Sequence, residues 1–309
     1  MGNHIATIAF CADVYMEVPL HVAASSLLRN LHPNWTAKIY LLTDGIGKSA
    51  IGRLRETLNL VERPYELVEI TLPNTGVFRK LRPFHGSHAA YYRLLLPSFA
   101  AEKRFLYLDT DTVTKVDVSP LFQLDMDGYP LGFVVEGSVK YDLQHEFLIS
   151  QGAKEDDPVL NSGVILFDVE QWKAQHCFSR LMDFCNAHPA SLLAADQTAF
   201  NVLFVKHCYH LALEFNVKLY AHGGKPVPDN GIYHFVGSPK PWDLFGEFFH
   251  SYAYIWNEAS GRIALRLTRR SAYTDFRNWR RLPRIIGGYR RILRARIARL
   301  MHRSMVDSV

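Results

Sequence analysis

Short apolar runs alternate with stretches of helical spacing through the first third of this 309-residue chain, and that alternation most limits the folds open to it. Residues 5–12 are apolar apart from Thr7. Residues 20–31 follow with Leu20, Ala24, Leu27, Leu28 and Leu31 on one side of a helix. A second apolar run at 38–43 closes at Asp44-Gly45, a second helix is predicted over 49–60 and a third strand over 66–70. Strands buried on both faces read as continuous apolar runs, so this order predicts an α/β fold with a Rossmann-like, mostly parallel mixed sheet flanked by helices. Ligands in such sheets bind beyond the carboxyl ends of the strands.

Residues 73–86 break the alternation with two prolines, two glycines and Arg79, Lys80, Arg82 and His85, which reads as an irregular lid or binding loop. A helix is predicted again over 89–96. Strands are predicted over 104–108, 131–135, 163–167 and 231–235, with a helix near 196–205. No internal repeat is visible.

Residues 105–111 read Phe-Leu-Tyr-Leu-Asp-Thr-Asp, four hydrophobics that fix a buried strand and two carboxylates where it leaves the sheet. Side chains at i and i+2 of an extended chain share a side, so Asp109 and Asp111 repel unless a cation lies between them. Oxygen ligands suit a hard divalent ion that neutralises a phosphate ester. A D-x-D alone is common at exposed turns, and its place at a strand end is what gives it weight.

Beyond the next apolar run comes Tyr233-His234-Phe235-Val236-Gly237-Ser238-Pro239-Lys240-Pro241-Trp242. His234 could complete a metal shell or simply pack in the core. Gly237 permits close backbone approach to a ligand, and Lys240 supplies a cation for a diphosphate. Asn161-Ser162-Gly163, placed just before the strand at 164–167, suits either a hydroxyl-rich ligand or a plain turn. Asp196-Gln197 opens a helix, where Asp196 could serve as an N-cap.

Charge is divided unevenly. Of the 35 basic and 30 acidic residues, residues 262–309 hold 14 Arg and two acids, which makes that segment +12 and residues 1–261 −7. Within the segment Tyr289, Ile292, Leu293, Ile297, Leu300 and Met301 recur at helical spacing among arginines. That pattern predicts a basic amphipathic helix lying on an anionic membrane, worth about 1 kcal/mol per basic residue near the lipid, or else docked on the acidic domain. No nucleic-acid recognition motif accompanies the charge. At 48% hydrophobic and 21% charged residues the composition excludes collagenous, disordered and disulfide-scaffold classes. The four cysteines form no C-x-x-C pair and read as buried thiols. Neither a signal peptide nor a transmembrane run is visible, which places the chain in the cytoplasm, peripheral on the inner face of the membrane.

In this order, Ala12-Asp13 at the end of the first strand, Leu108-Asp109-Thr110-Asp111, Asn161-Ser162-Gly163, Asp196-Gln197 and the His234–Trp242 run resemble glycosyltransferase family 8 over roughly residues 5–243. The likeness is greatest to the bacterial lipopolysaccharide galactosyl- and glucosyltransferases. The resemblance implies a GT-A fold, a UDP-hexose donor, Mn²⁺ (or Mg²⁺), a glycan or glycolipid acceptor and retention at the anomeric carbon. It implies that Asp109, Asp111 and His234 bind the metal. Ala12 and Asp13 would lie at the uracil, Thr110 at the ribose, and Gly237 and Lys240 at the diphosphate. Arg93, Glu136, Asn161, Ser162, Asp196 and Gln197 would surround the donor sugar, the last two being the candidates for catalysis. On this reading residues 1–261 form the catalytic domain, with a nucleotide-sugar half to about 115 and an acceptor half from about 116, and 262–309 are a membrane-associating tail. Where the family usually has Asp-Asn-Tyr, this chain has Asp13-Val14-Tyr15, and Val14 offers the ribose no hydrogen bond. An inert nucleotide-sugar-binding protein and a glycogenin-like self-glucosylating enzyme, for which 15 tyrosines are available, are the alternatives.

Overall fold

Every apolar run predicted as a strand is one, and the helices between them close both faces of the sheet. The computed structural model describes residues 4–71, 76–84, 87–224, 226–261 and 276–306. Along the chain these form β1 (His4–Asp13), α1 (Glu17–Asn30), β2 (Trp35–Asp44), α2 (Lys48–Asn59), β3 (Tyr65–Thr71), α3 (Ala89–Tyr92), α4 (Leu96–Phe99), β4 (Arg104–Leu108), β5 (Thr112–Thr114) and β6 (Leu131–Ser138). There follow α5 (His145–Ser150), β7 (Pro158–Asp168), α6 (Val169–Ala174), α7 (Cys177–Ala187), α8 (Asp196–Leu203), β8 (Tyr209–His210), β9 (Val217–Tyr220), β10 (Ile232–Val236), α9 (Gly246–Phe249), α10 (Ala253–Ser260) and α11 (Phe276–Val306).

The main sheet has the order β3-β2-β1-β4-β7-β6-β8. Its strands run parallel except β7, which is antiparallel to both β4 and β6. Alternate residues of β1 serve two cores. Ile8, Phe10 and Ala12 pack with Leu20, Ala24, Leu27 and Leu54 of α1 and α2. Ala9 and Cys11 face the opposite side, with Tyr107, Phe167, Leu181 and Phe200. This period of two, with both faces covered, is why the strand reads as one apolar run. Sequence order turns from one side to the other between β1 and β4, and that switch point opens a crevice at their carboxyl ends. A smaller sheet, β5-β10-β9, stands beside it. All four cysteines are buried free thiols.

Two expectations need correction. The helix predicted over 89–96 is broken into α3, a 3₁₀ turn at Arg93–Leu95, and α4. Pro97 lacks the N–H that a continuous helix would donate to the carbonyl of Arg93. Asn161-Ser162-Gly163 lies inside β7 rather than before it. The segment expected as an irregular loop holds a 3₁₀ turn at Gly76–Phe78 and a bridge between Phe84 and Ser87, while residues 72–75 and 85–86 lie outside the described residues.

The tail also differs from a free amphipathic helix. Ile285, Tyr289 and Ile292 of α11 are buried with Ala221, Phe249 and Leu282. The Tyr289 hydroxyl donates to the carbonyl of Leu244, and Arg296 donates to that of Phe249 at 2.9 Å. Gly288 lies so close to the segment after β10 that a Cβ there would fall 2.8 Å from both Ser238 O and Pro239 Cδ. Part of the predicted apolar stripe is therefore spent on intramolecular packing. Gly288→Val should cost about 1–3 kcal/mol by overpacking, with a matching fall in Tm and faster proteolysis within α11. Gly287→Ala, whose Cβ meets nothing within 4 Å, is the control and should leave both unchanged.

Candidate active site

Residues 109–111 carry the chain from one sheet to the other. The backbone N–H of Asp109 donates to Gly163 O of β7 at 2.8 Å, and Phe235 N–H of β10 donates to Asp111 O at 3.0 Å. The Thr112 hydroxyl donates to Asp109 O at 2.9 Å. The segment is thus pinned at both ends, and β10 is placed opposite it with His234 paired to Thr112. That register brings together acids and an imidazole that lie more than a hundred residues apart in sequence.

One ligand atom each from Asp109, Asp111 and His234 lie within 4.8 Å of one another. His234 Nε2 stands 3.2 Å from Asp111 Oδ1 and 3.8 Å from Asp109 Oδ2. Lys240 Nζ contacts Asp111 Oδ2 at 2.6 Å and also donates to Phe235 O. Burial raises the Asp111 pKa, but the Lys240 ammonium, foremost among its neighbours, outweighs it, and the carboxyl is held well below the usual carboxylate range. Asp111 Oδ1 is nevertheless buried without a hydrogen-bond partner. An orphaned carboxylate oxygen aimed at an imidazole nitrogen, with a second carboxylate alongside, is a donor set that fits a hard or borderline divalent cation. Gly163 belongs to the same geometry, because a Cβ there would fall 2.1 Å from His234 Cε1. Only glycine lets the ring lie against β7.

A row of amides extends from this triad. Gln197 Oε1 accepts from Asn161 Nδ2 at 3.0 Å and from the Ser162 N–H at 3.2 Å. Asn161 Oδ1 accepts from the Gly163 N–H at 3.0 Å and from Asn216 Nδ2 at 3.0 Å. Asn216 Oδ1 lies 3.1 Å from His234 Nδ1. Asn216 carried no motif in the sequence, and only its position just before β9, the neighbour of β10, reveals it.

Arg93 forms the other wall. It is buried, and its guanidinium reaches Asp196 at 3.0 Å, Asp109 at 3.1 Å, and the carbonyls of Ala90 and Ser162. Its charge also lies 4.6 Å from the centre of the Tyr107 ring, whose hydroxyl donates to Asp109 Oδ1 at 2.5 Å. Burial works against the Arg93 charge, but Asp109 and Asp196 more than offset it. Asp196 is the first residue of α8, with Ala195 at the cap position, so it turns to Arg93 instead of capping the helix. Ala195 takes φ +53°, an uncommon left-handed conformation for a residue with a Cβ. Cys11 lies near this cluster, where burial pushes its thiol well above the ordinary range and keeps it unreactive.

The remaining predicted residues fall around the same crevice. Ala12 is buried at the end of β1, and Asp13 follows it, accepting from the Tyr15 N–H at 2.9 Å. Val14 is exposed and Thr110 buried. Gly237 has φ +78°, so glycine is required by the backbone at the end of β10. Glu136 on β6 pairs with Lys218 of β9 at 3.3 Å, and Lys218 also donates to Glu136 O at 3.0 Å. Lys218 carries no sequence motif, and it lies beside His234 in the β9–β10 register.

The model of the glycosyl transferase family 8 matches residues 7–245. The chain belongs to glycosyltransferase family 8. General stress protein A of Bacillus subtilis (strain 168) is 28% identical to it over 282 residues, 82% of this chain and 96% of that protein. Glycosyltransferase GlyF of Streptococcus pneumoniae serotype 4 is 24% identical over 252 residues, and the match spans 77% of this chain but 58% of that longer protein. Among solved structures, galactosyltransferase LgtC in complex with donor and acceptor sugar analogues superposes with a TM-score of 0.70 at 21% identity, covering 84% of this chain and 96% of that one. The family 8 chain accordingly has the GT-A fold.

Asp196 gives the site a pH signature. Burial pushes its pKa up to about 7, with Arg93 lowering it and the Asp109 charge raising it again. Between the ordinary carboxylate pKa and about 7 the folded protein holds a proton at Asp196 that the unfolded chain has released. Stability from this group is therefore present at low pH and falls as pH rises through that window, by up to about 1.4 kcal/mol per pH unit. Denaturant midpoints measured from pH 4 to 8 should show that slope in the wild type, and Asp196→Asn should flatten it.

Proposed function

We propose that this family 8 protein is a retaining hexosyltransferase that moves galactose or glucose from a UDP-sugar to a glycan or glycolipid acceptor, with Mn²⁺ or Mg²⁺ held by Asp109, Asp111 and His234. The observation that carries this reading is the convergence of those three side chains, with Lys240 alongside, at the switch point of the sheet. A divalent ion bound there supplies Lewis-acid neutralisation of the diphosphate leaving group. Lys240 is placed to add a fixed positive charge beside the same phosphates. The crevice at the ends of β1 and β4 offers Ala12, Asp13 and Thr110 to the nucleoside. Arg93, Asn161, Ser162, Asp196, Gln197 and the Glu136–Lys218 pair are left for the hexose and its acceptor.

The amide row bears on how retention arises. Gln197 Oε1 already accepts two hydrogen bonds, which blunts it as a nucleophile, and Gln197 Nε2 is left free to donate. Asp196 is 1% exposed and held by Arg93. Neither offers a free nucleophile on the far face of the sugar. These contacts favour front-face displacement: the anomeric C–O bond to the diphosphate breaks as the acceptor oxygen adds on the same side. The acceptor proton passes to the departing phosphate oxygen, and the Gln197 amide donates to the sugar and positions it. A trapped glycosyl-Asp196 adduct would overturn this course.

Attachment to an anionic membrane is part of the same proposal. No helix among the described residues is long and apolar enough to cross a bilayer. About a quarter-turn round from its docked face, α11 presents Ile286, Leu293 and Ile297, 43%, 44% and 55% exposed, beside the exposed Arg290, Arg291 and Arg294. An apolar stripe edged with cations suits an interfacial helix.

Two experiments test it. A panel of UDP-sugars should show Mn²⁺-dependent hydrolysis with one preferred hexose, and Asp109→Asn should lower it by at least about 100-fold, the scale of losing a Lewis acid. Turnover that is indifferent to Mn²⁺ or to this substitution would sink the metal-dependent reading. Replacing Ile286, Leu293 and Ile297 together by Ser should abolish flotation with phosphatidylglycerol liposomes while leaving hydrolysis of the soluble donor intact. Unchanged flotation would remove the membrane from the proposal.

A further inference from the structure

We infer that Asn216 is a positioning residue that fixes His234 as the Nδ1–H tautomer and so presents the Nε2 lone pair to the cation. The inference rests on the proposed function for the nature of that ligand, but its geometry stands on the protein alone.

The polarity of the amide row is set by two groups that can only donate. The backbone N–H groups of Ser162 and Gly163 point at Gln197 and Asn161, at 3.2 and 3.0 Å, so the atoms they meet are the carbonyl oxygens Gln197 Oε1 and Asn161 Oδ1. Asn161 Nδ2 is then the donor to Gln197. The atom of Asn216 facing Asn161 Oδ1 at 3.0 Å is likewise its amide nitrogen, since two oxygens would repel. That leaves Asn216 Oδ1 facing His234 Nδ1 at 3.1 Å, an acceptor that requires a proton on Nδ1. The choice of tautomer is in this way traced to the backbone of β7.

The opposite edge of the ring agrees. Nε2 lies 3.2 Å from Asp111 Oδ1, a buried oxygen with no hydrogen-bond partner. With the proton on Nδ1, two lone pairs face each other there, an arrangement that a cation relieves and a hydrogen bond does not. The reverse tautomer would aim an N–H into the space between the acids and block it. Asn216 is buried and the ring lies on Gly163, where a Cβ would fall 2.1 Å away, so the imidazole has neither room to flip nor a second partner for Nδ1 among the described residues. A polar group that orients a metal-ligating histidine through its other nitrogen typically changes metal affinity about 10–100-fold when removed.

Two readouts on metal-free and Mn²⁺-titrated full-length protein test this. Long-range ¹H–¹⁵N correlation spectra of ¹⁵N-histidine protein, with the imidazole neutral and His234 assigned by His234→Gln, should show the Nδ1–H tautomer in the wild type. Asn216→Leu should shift it toward Nε2–H. Mn²⁺ binding followed by electron paramagnetic resonance without any nucleotide should weaken about 10–100-fold in Asn216→Leu. Asn216→Asp, which loses the donor to Asn161 Oδ1 but keeps an acceptor for Nδ1, should preserve the tautomer, and it also serves if the Leu variant does not fold. A wild-type Nε2–H tautomer, loss of the Nδ1–H signal in Asn216→Asp, or unchanged spectra and affinity in folded Asn216→Leu would overturn the inference. Wild-type protein that shows the Nδ1–H tautomer, disturbed by Asn216→Leu, yet binds no Mn²⁺ would uphold Asn216 as positioning residue and refute the metal.

Discussion

The crossing of residues 109–111 between the two sheets is the constraint on which the site depends. One backbone hydrogen bond ties its start to β7 and another ties its end to β10. Because sheet pairing is specified residue by residue, a slip of one position in β10 would send the His234 side chain to the other face. The acids, the imidazole and the lysine are thus brought together by strand register, and no local motif could do this over such a separation. A repulsive cluster of carboxylates is tolerable there because Arg93 and Lys240 each hold one of them, Asp109 and Asp111 respectively.

Around that crossing the polar groups form two connected systems. The amide row from Gln197 to His234 is neutral and directional, and its direction comes from the backbone of β7. The Arg93 system is ionic, with one guanidinium shared by Asp109 and Asp196 while it rests on the Tyr107 ring. Buried polar networks of this kind specify a single arrangement when every member is satisfied. Asp111 Oδ1 and both carboxylate oxygens of Asp196 are buried without a hydrogen-bond partner, and the first lies where a cation is expected.

Much of this could be read from the sequence, and the parts that could not share a physical reason. Strands β1, β2, β4 and β7 were legible because burial on both faces leaves an apolar run. Asp109 and Asp111 stood out because charged residues at the end of such a run need a partner. Asn161-Ser162-Gly163 was placed outside its strand because those residue types also make turns, whereas here the backbone pairing runs through them and the glycine serves the His234 ring. Asn216, Lys218 and Tyr107 had no signal, since each is a single residue whose role depends on what lies across from it in space. The tail shows the same limit: helical periodicity reveals that a face is apolar, but not whether lipid or protein covers it.

The Gly288 contact gives the basic helix a mechanical character. A helix joined to its domain by a loose linker would let that domain tumble above a surface. Here the inward face of α11 is pressed against Ser238 and Pro239, beside Lys240, and its exposed apolar stripe lies about a quarter-turn round the same helix. Whatever that stripe meets will therefore find the candidate site in a set direction, and a partner bound along it would approach the Asp109–Asp111–His234 cluster from one side only.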